Sequence, residues 1–247
     1  MKAQKLLPSL LVIILPFYLT AQEFYQGEAI GSNNLRALSS FNQITIRNSA
    51  LFENVRDGQN SVNGKFYESI TGDSPYINNA FFPAKVNNYK EFTTARYDAF
   101  KDLIVVKIND SKGLYLEKRL GNKVRFMTTN EVYQVFYDEE EKAGFFKVLE
   151  TTSKYAMLIK QQVQLKGGEK PRNSYDKYVD PFFKRVKDKL YISLDNKNAV
   201  KAPTSKKKFF KLFTDDANAI RSFVNKNKLN IKSQKDILKI LNYYATL

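Results

Sequence analysis

Two Ser-x-x-Lys pairs, Ser174 with Lys177 and Ser205 with Lys208, have a spacing that could carry nucleophilic chemistry. In penicillin-binding proteins and β-lactamases it sets a lysine one helical turn from an attacking hydroxyl. The Ser-Asp-Asn and Lys-Thr-Gly elements those enzymes also need are absent from this chain. Ser205 reads better as a helix cap and Ser174 as part of a polar loop. Asp57 to Gly64 (DGQNSVNG) is oxygen-rich like a calcium loop. With Gly64 at the turn position that loop would run from Gln59 to Ile70, and isoleucine cannot ligate a hard cation. Glu139, Glu140 and Glu141 are consecutive, so in a hairpin turn they splay outward. Acid–base work across a glycosidic bond needs two carboxylates converging over roughly 5–9 Å. Gly167-Gly168 opens no helix and makes no phosphate loop.

The chain has no His and no Cys. That removes Ser-His-Asp triads, Cys nucleophiles, zinc sites of the usual N/S type and disulfides. Any catalysis would rest on carboxylates, Lys, Tyr or Ser. The sequence therefore assigns no catalytic, cofactor-binding or metal residue, implies no cofactor, and leaves ligand-binding residues unknown. If a site had to be named, Arg96 and Tyr97 come first, because an Arg beside an aromatic at a strand edge can anchor a ligand. A structural Arg–carboxylate pair within the sheet is the simpler account.

The residues around these positions organise into four segments. Residues 1–21 read as a secretory signal: Lys2 and Lys5, the uncharged run of 14 residues from Leu6 to Leu19, then Thr20-Ala21-Gln22. The run falls short of the roughly 20 residues that span a bilayer, and Pro8 and Pro16 interrupt it. Cleavage is expected after Ala21, with a retained anchor as the alternative. Residues 22–72 form a polar, partly extended N-terminal arm with short apolar runs at Ile44 to Ile46 and Val62 to Ile70.

Residues 73–202 read as an antiparallel β domain. Leu103 to Ile108, Gly113 to Lys118, Val124 to Met127, Val132 to Tyr137, Gly144 to Leu149, Tyr155 to Leu165 and Lys189 to Leu194 are apolar or alternating segments. Polar turns separate them, and no helical period intervenes, which points to a meander or a partly closed barrel.

Residues 203–247 switch to helical spacing and form a basic tail packed on that domain. Ser205 is placed to cap a first helix carrying Phe209, Leu212 and Phe213 on one face. Thr214 is placed to cap a second, with Asp215 and Asp216 at its positive end and Ile220, Phe223 and Val224 as its stripe. Ser233 opens a third, with Asp236 three residues on, close to a capping box. Its buried face is Ile237, Leu238, Ile240, Leu241 and Tyr244. The fold class is α+β, mainly β, with three short amphipathic helices at the C-terminus.

Net charge is +15 and unevenly placed. Residues 160–247 hold 21 Lys and Arg against 8 Asp and Glu, whereas residues 22–159 hold 17 of each. Such a patch attracts anionic surfaces in a salt-sensitive way. Lysine-rich faces also serve solubility alone. In Lys206 to Lys211 the charges interleave with Phe209 and Phe210, and the three leading lysines fall on the solvent side of the expected helix.

Gly72 to Phe81 (GDSPYINNAF), Arg96 to Phe100 (RYDAF) leading into the Leu103 to Lys107 strand, and the tail segments Lys206 to Phe213, Ile220 to Leu229 and Asp236 to Tyr244 together resemble a family of exported, uncharacterised proteins of Bacteroidota. Asp98 departs from that family's frequent Arg-Tyr-Asn. The resemblance implies location and architecture and supplies no catalytic residues.

The expectation is an exported, non-enzymatic envelope protein, periplasmic or secreted, acting as a binding or assembly module. Its partners would be an anionic envelope surface or an acidic protein, with no nucleic acid. Two alternatives stand beside it: a carboxylate-based glycan hydrolase with an aromatic-lined groove, and a β-barrel carrier of a small apolar ligand.

Overall fold

The structure is a computed structural model that describes residues 52–53, 67, 70–107, 113–169 and 175–247. The signal segment, most of the arm, the Asp57 to Gly64 run and Ser174 lie outside the described residues.

The alternating segments form one large, mainly antiparallel sheet. β3 (Phe82–Val86), β4 (Thr93–Asp98), β5 (Leu103–Lys107) and β6 (Gly113–Leu116) make a first meander, extended at its edge by β1 (Phe52–Glu53). β7 (Lys123–Phe126), β8 (Val132–Tyr137), β9 (Ala143–Thr151), β10 (Ala156–Lys166), β11 (Phe182–Ser193) and β12 (Val200–Lys201) make a second. The two meet where β7 pairs with β3 instead of its predecessor β6. The expected α+β, mainly β class is observed, and the ladder path from β1 to β12 does not close on itself.

The sheet nevertheless bends until its two halves touch. Register shifts in β10 at Met157/Leu158 and Lys160/Gln162 bend the strand where it must turn across the sheet. Beyond the second shift the Val163 amide donates to the Ala99 carbonyl, 3.1 Å away. Val163 and Phe183 thereby join Ala84, Val86, Tyr97, Ile104, Val124, Val135 and Phe145 in one core. β2 (Thr71–Gly72) spans the remaining gap. It pairs parallel with β11, Thr71 opposite Phe182 and Gly72 opposite Phe183. The chain then turns onto β4, where Tyr76 bridges Asp98 and the Ala99 amide donates to the Pro75 carbonyl at 2.8 Å.

The helical tail caps the other end of the β9–β11 layer. α1 (Lys206–Lys211), α2 (Ala217–Lys226) and α3 (Gln234–Tyr244) bury Phe209, Phe210, Ile220, Val224, Ile237, Ile240 and Leu241 against Tyr155, Met157 and Ile192. Each fully buried side chain of this size contributes about 1.5–3 kcal/mol, so the tail docks through its apolar stripe rather than its charge. Ser233 caps α3 as expected, its hydroxyl accepting from the Asp236 amide. The Asp236 carboxylate accepts from the Asn230 amide at 3.1 Å, one turn earlier than a full capping box would place it. Ser205 stands at the α1 N-cap but makes no side-chain cap bond. Thr214 does not cap α2. It begins a 3-10 turn, Thr214–Asp216, at φ +43, and α2 starts at Ala217.

Candidate functional site

β4 reads Thr-Thr-Ala-Arg-Tyr-Asp, and strand alternation sends Arg96 and Asp98 to one face and Ala95 and Tyr97 to the other. Both faces are covered. Arg96 and Tyr97 therefore do not form a joint site. The Arg96 side chain, 5% exposed, lies with its guanidinium 3.5 Å from the Tyr76 ring centre and 4.3 Å from that of Phe81. It also donates to the Asn79 carbonyl at 3.1 Å. Burial pulls the Arg96 pKa below its ordinary value, opposed by Tyr76 and Asp98. Burial pushes Tyr76 up to about 12 despite the nearby guanidinium.

Asp98 accepts from the Tyr67 hydroxyl at 2.7 Å and from the Phe100 and Lys101 amides at 3.0 and 2.9 Å. Burial raises its pKa against the pull of those donors. Gly72 to Phe81 and Arg96 to Phe100 are thus packing partners.

Tyr97 belongs to a second cluster on the inner face. Its hydroxyl donates to Asp102 Oδ1 at 2.7 Å and reaches the Gln161 carbonyl at 3.3 Å. Asp102, in the β4–β5 turn at φ +56, receives Lys160 at 2.8 Å and Lys118 at 3.1 Å, together with the Phe145 amide. Lys160 is 9% exposed and also donates to the Phe145 carbonyl at 2.9 Å. Desolvation by burial lowers the Lys160 pKa, and the Asp102 carboxylate opposes that shift. The network continues from Gln161 to the Tyr133 hydroxyl at 2.6 Å and to Asp188 at 3.2 Å. Gly144 makes room for it: a Cβ there would sit 2.7 Å from Lys160 Nζ and 3.0 Å from Asp102 Oδ2.

The buried Asp98 and the partly exposed Asp102 are each supplied with several donors, an arrangement suited to holding the bend rather than to moving protons. Among the described residues no group of three or more His, Cys, Asp or Glu is placed to hold a metal. Glu139, Glu140 and Glu141 lie in the β8–β9 turn, where the Asp138 carboxylate accepts from the Glu140 and Lys142 amides at 2.9 Å. They are solvated, as the spacing implies.

Sequence reasoning missed Asp102, Lys160 and Gln161. Lys160 did carry a signal, a cation directly after the apolar run Ala156 to Ile159. Asp102 carried none, because Lys118, Phe145 and Lys160 are remote from it in sequence.

The basic surface is the remaining feature. Residues 203–247 contain ten Lys and Arg against three Asp, and every one of the ten is exposed while the apolar stripe is buried. Lys208 and Lys211 on α1 and Lys201 on β12 line one groove with a volume of ≈ 490 Å³. A second groove, of ≈ 530 Å³, lies between α2 and α3 beside the stacked Phe223 and Tyr243 rings, 4.1 Å apart.

Fold and surface together define a bent, open antiparallel sheet with a helical cap that presents cations outward. Comparison with protein families, with curated proteins and with solved structures finds no match to this chain. Among the described residues no helix is long and apolar enough to cross a membrane.

Proposed function

We propose that the protein is an exported, non-enzymatic binding or assembly module of the cell envelope. Its basic C-terminal third attaches to anionic envelope components, with an acidic partner protein as the other form of the same reading. The observation that carries this is the division of labour in residues 203–247. Apolar side chains dock the helices, and all ten cations face solvent. Clustered exposed cations raise the local concentration of anionic partners in a salt-dependent manner. The Lys2 to Gln22 pattern and the resemblance to exported proteins of Bacteroidota support an exported location. Nothing in the two buried clusters favours the hydrolase reading. The inside of the bend is filled by the main core, which gives a barrel carrier no support.

Co-sedimentation of residues 22–247 with lipopolysaccharide-bearing and neutral vesicles across a salt series tests the proposal. Binding confined to anionic vesicles and weakening as salt rises is the expected result. Absence of binding at low salt would reduce the charge to a solubility feature.

A further inference from the structure

The groove between β12 and α1 has a composition that narrows the ligand. Two of its lysines, Lys208 and Lys211, are three residues apart and share a helix face. Their backbone is fixed because Phe209 and Phe210 are buried in the helical core. The third, Lys201, comes from β12, which is pinned to β11 by the Tyr191–Lys201 pairing and by the Ala202 amide on the Leu190 carbonyl at 2.9 Å. Thr204 and Ser205 add hydroxyls, and Glu139 is the lining carboxylate.

Three lysines and one glutamate leave a lining charge of +2. Like charges held together on neighbouring positions repel, and a bound anion relieves that repulsion. A phosphomonoester carries about −1.5 to −2 at neutral pH and matches the lining, whereas a carboxylate or phosphodiester leaves a cation uncompensated. Lysine is a compact point charge suited to phosphate, and hydroxyls supply further donors. At ≈ 490 Å³ the groove is far larger than a phosphate ion and lies in the range of small-molecule sites. Pro203 and Leu212 give it an apolar wall against which a sugar ring or headgroup can rest.

We propose that the groove formed by Lys201, Lys208 and Lys211 binds a phosphomonoester borne on a sugar or lipid headgroup. This rests on the reading that the basic third meets anionic envelope components, and it names the place and the chemistry.

The test uses the purified protein, a groove variant carrying Lys208→Ala with Lys211→Ala, and a control carrying Lys226→Ala with Lys235→Ala. Both variants remove two exposed helical cations, and circular dichroism with thermal melting verifies that each is folded. Flotation compares phosphatidic acid vesicles with phosphatidylserine vesicles of matched surface potential. The wild type is expected to favour the phosphomonoester vesicles. The groove variant should lose about tenfold or more in affinity for them, together with the preference. The control should weaken on both vesicle types alike and keep the preference.

Equal losses in the two variants, or wild-type binding without preference, would overturn the groove while leaving the basic-surface reading intact. No wild-type binding to either vesicle would overturn both. Glucose 1-phosphate added as competitor separates the sources. Displacement shows that a soluble sugar phosphate occupies the groove. Persistence of selective binding assigns the site to membrane-borne phosphate.

Discussion

The Asp102 carboxylate and the Lys160 ammonium lie 2.8 Å apart and join the β4–β5 turn to β10 across the bend of the sheet. Lys118, the Tyr97 hydroxyl and the Phe145 amide also donate to the carboxylate. Replacing a buried pair by apolar residues is often neutral, whereas removing one partner strands the other charge. The pair therefore behaves as a latch whose halves are individually expendable only together.

Asp102→Asn is the informative half, because asparagine also tolerates the φ of +56 at this position. It leaves Lys160 facing a neutral amide and should cost about 3 kcal/mol in urea unfolding. Adding Lys160→Met should recover part of that loss, and strict additivity of the two changes would refute the latch. A pH signature accompanies it. The folded Lys160 pKa lies below its ordinary value, so its protonation opposes folding and stability rises as pH climbs from the folded to the unfolded value. Without the Asp102 charge the folded value falls further, so the alkaline gain in melting temperature should begin at lower pH in Asp102→Asn.

Arg96 holds the 72–81 segment against β4 through two aromatic rings and one carbonyl. Lysine keeps the charge but loses the planar stack and the fixed fork of donors. Arg96→Lys should destabilise by about 2 kcal/mol and alter the near-ultraviolet dichroism of the surrounding tyrosines. A variant with wild-type stability and spectrum would show that the stack contributes nothing.

Much of the sheet was legible because its strands carry the side chains that pleated, half-buried surfaces favour. The segment Val132 to Tyr137 is β8 residue for residue, and Gly113 to Lys118 contains β6. β11 was only half legible. It begins at Phe182, well before the expected Lys189, because Lys184, Arg185, Lys187 and Asp188 are exposed and break the apolar pattern. The ladder to β10 makes that stretch a strand regardless of its charge. β4 is not legible as a strand of its own, since the buried Arg96 and Asp98 look like surface residues until the 72–81 segment covers them. The pairing of β7 with β3 and the contact of Asp102 with Lys160 are tertiary facts that local pattern does not encode. The three helices were legible from their stripes. The second began later than Thr214 implied, since Thr214 to Asp216 form a 3-10 turn.

Gly72 and Gly121 separate steric from conformational cost at positive φ. At Gly72, φ +93, an added Cβ would sit 2.3 Å from the Phe183 carbonyl oxygen, a backbone atom in the β2–β11 pairing. At Gly121, φ +84, nothing lies within 4 Å. Gly121→Ala should lose only the left-handed penalty of about 1–2 kcal/mol. Gly72→Ala should lose clearly more, because β2 must shift from its register. Matching denaturation midpoints for the two variants would mean that β2 does not fasten the bend.

Asp195 gives the clearest acid signature. Although burial works against it, bonds from the Asn198 and Lys197 amides, the Asn198 side chain and the Ser193 hydroxyl hold its pKa at about 2. This turn delivers residues 197–199 to the edge of β8, where Tyr137 donates to the Lys197 carbonyl and accepts from the Ala199 amide. A carboxylate depressed in the folded state stabilises fully above its unfolded pKa near 4, and that stability fades as pH falls through the folded value. Asp195→Asn should therefore melt below the wild type at neutral pH, by a modest amount because the group is mostly solvated. The gap should narrow as pH falls from about 4 toward 2. A gap that stays constant across that interval would mean that the turn is held by its backbone alone and that the Asp195 charge has no part in it.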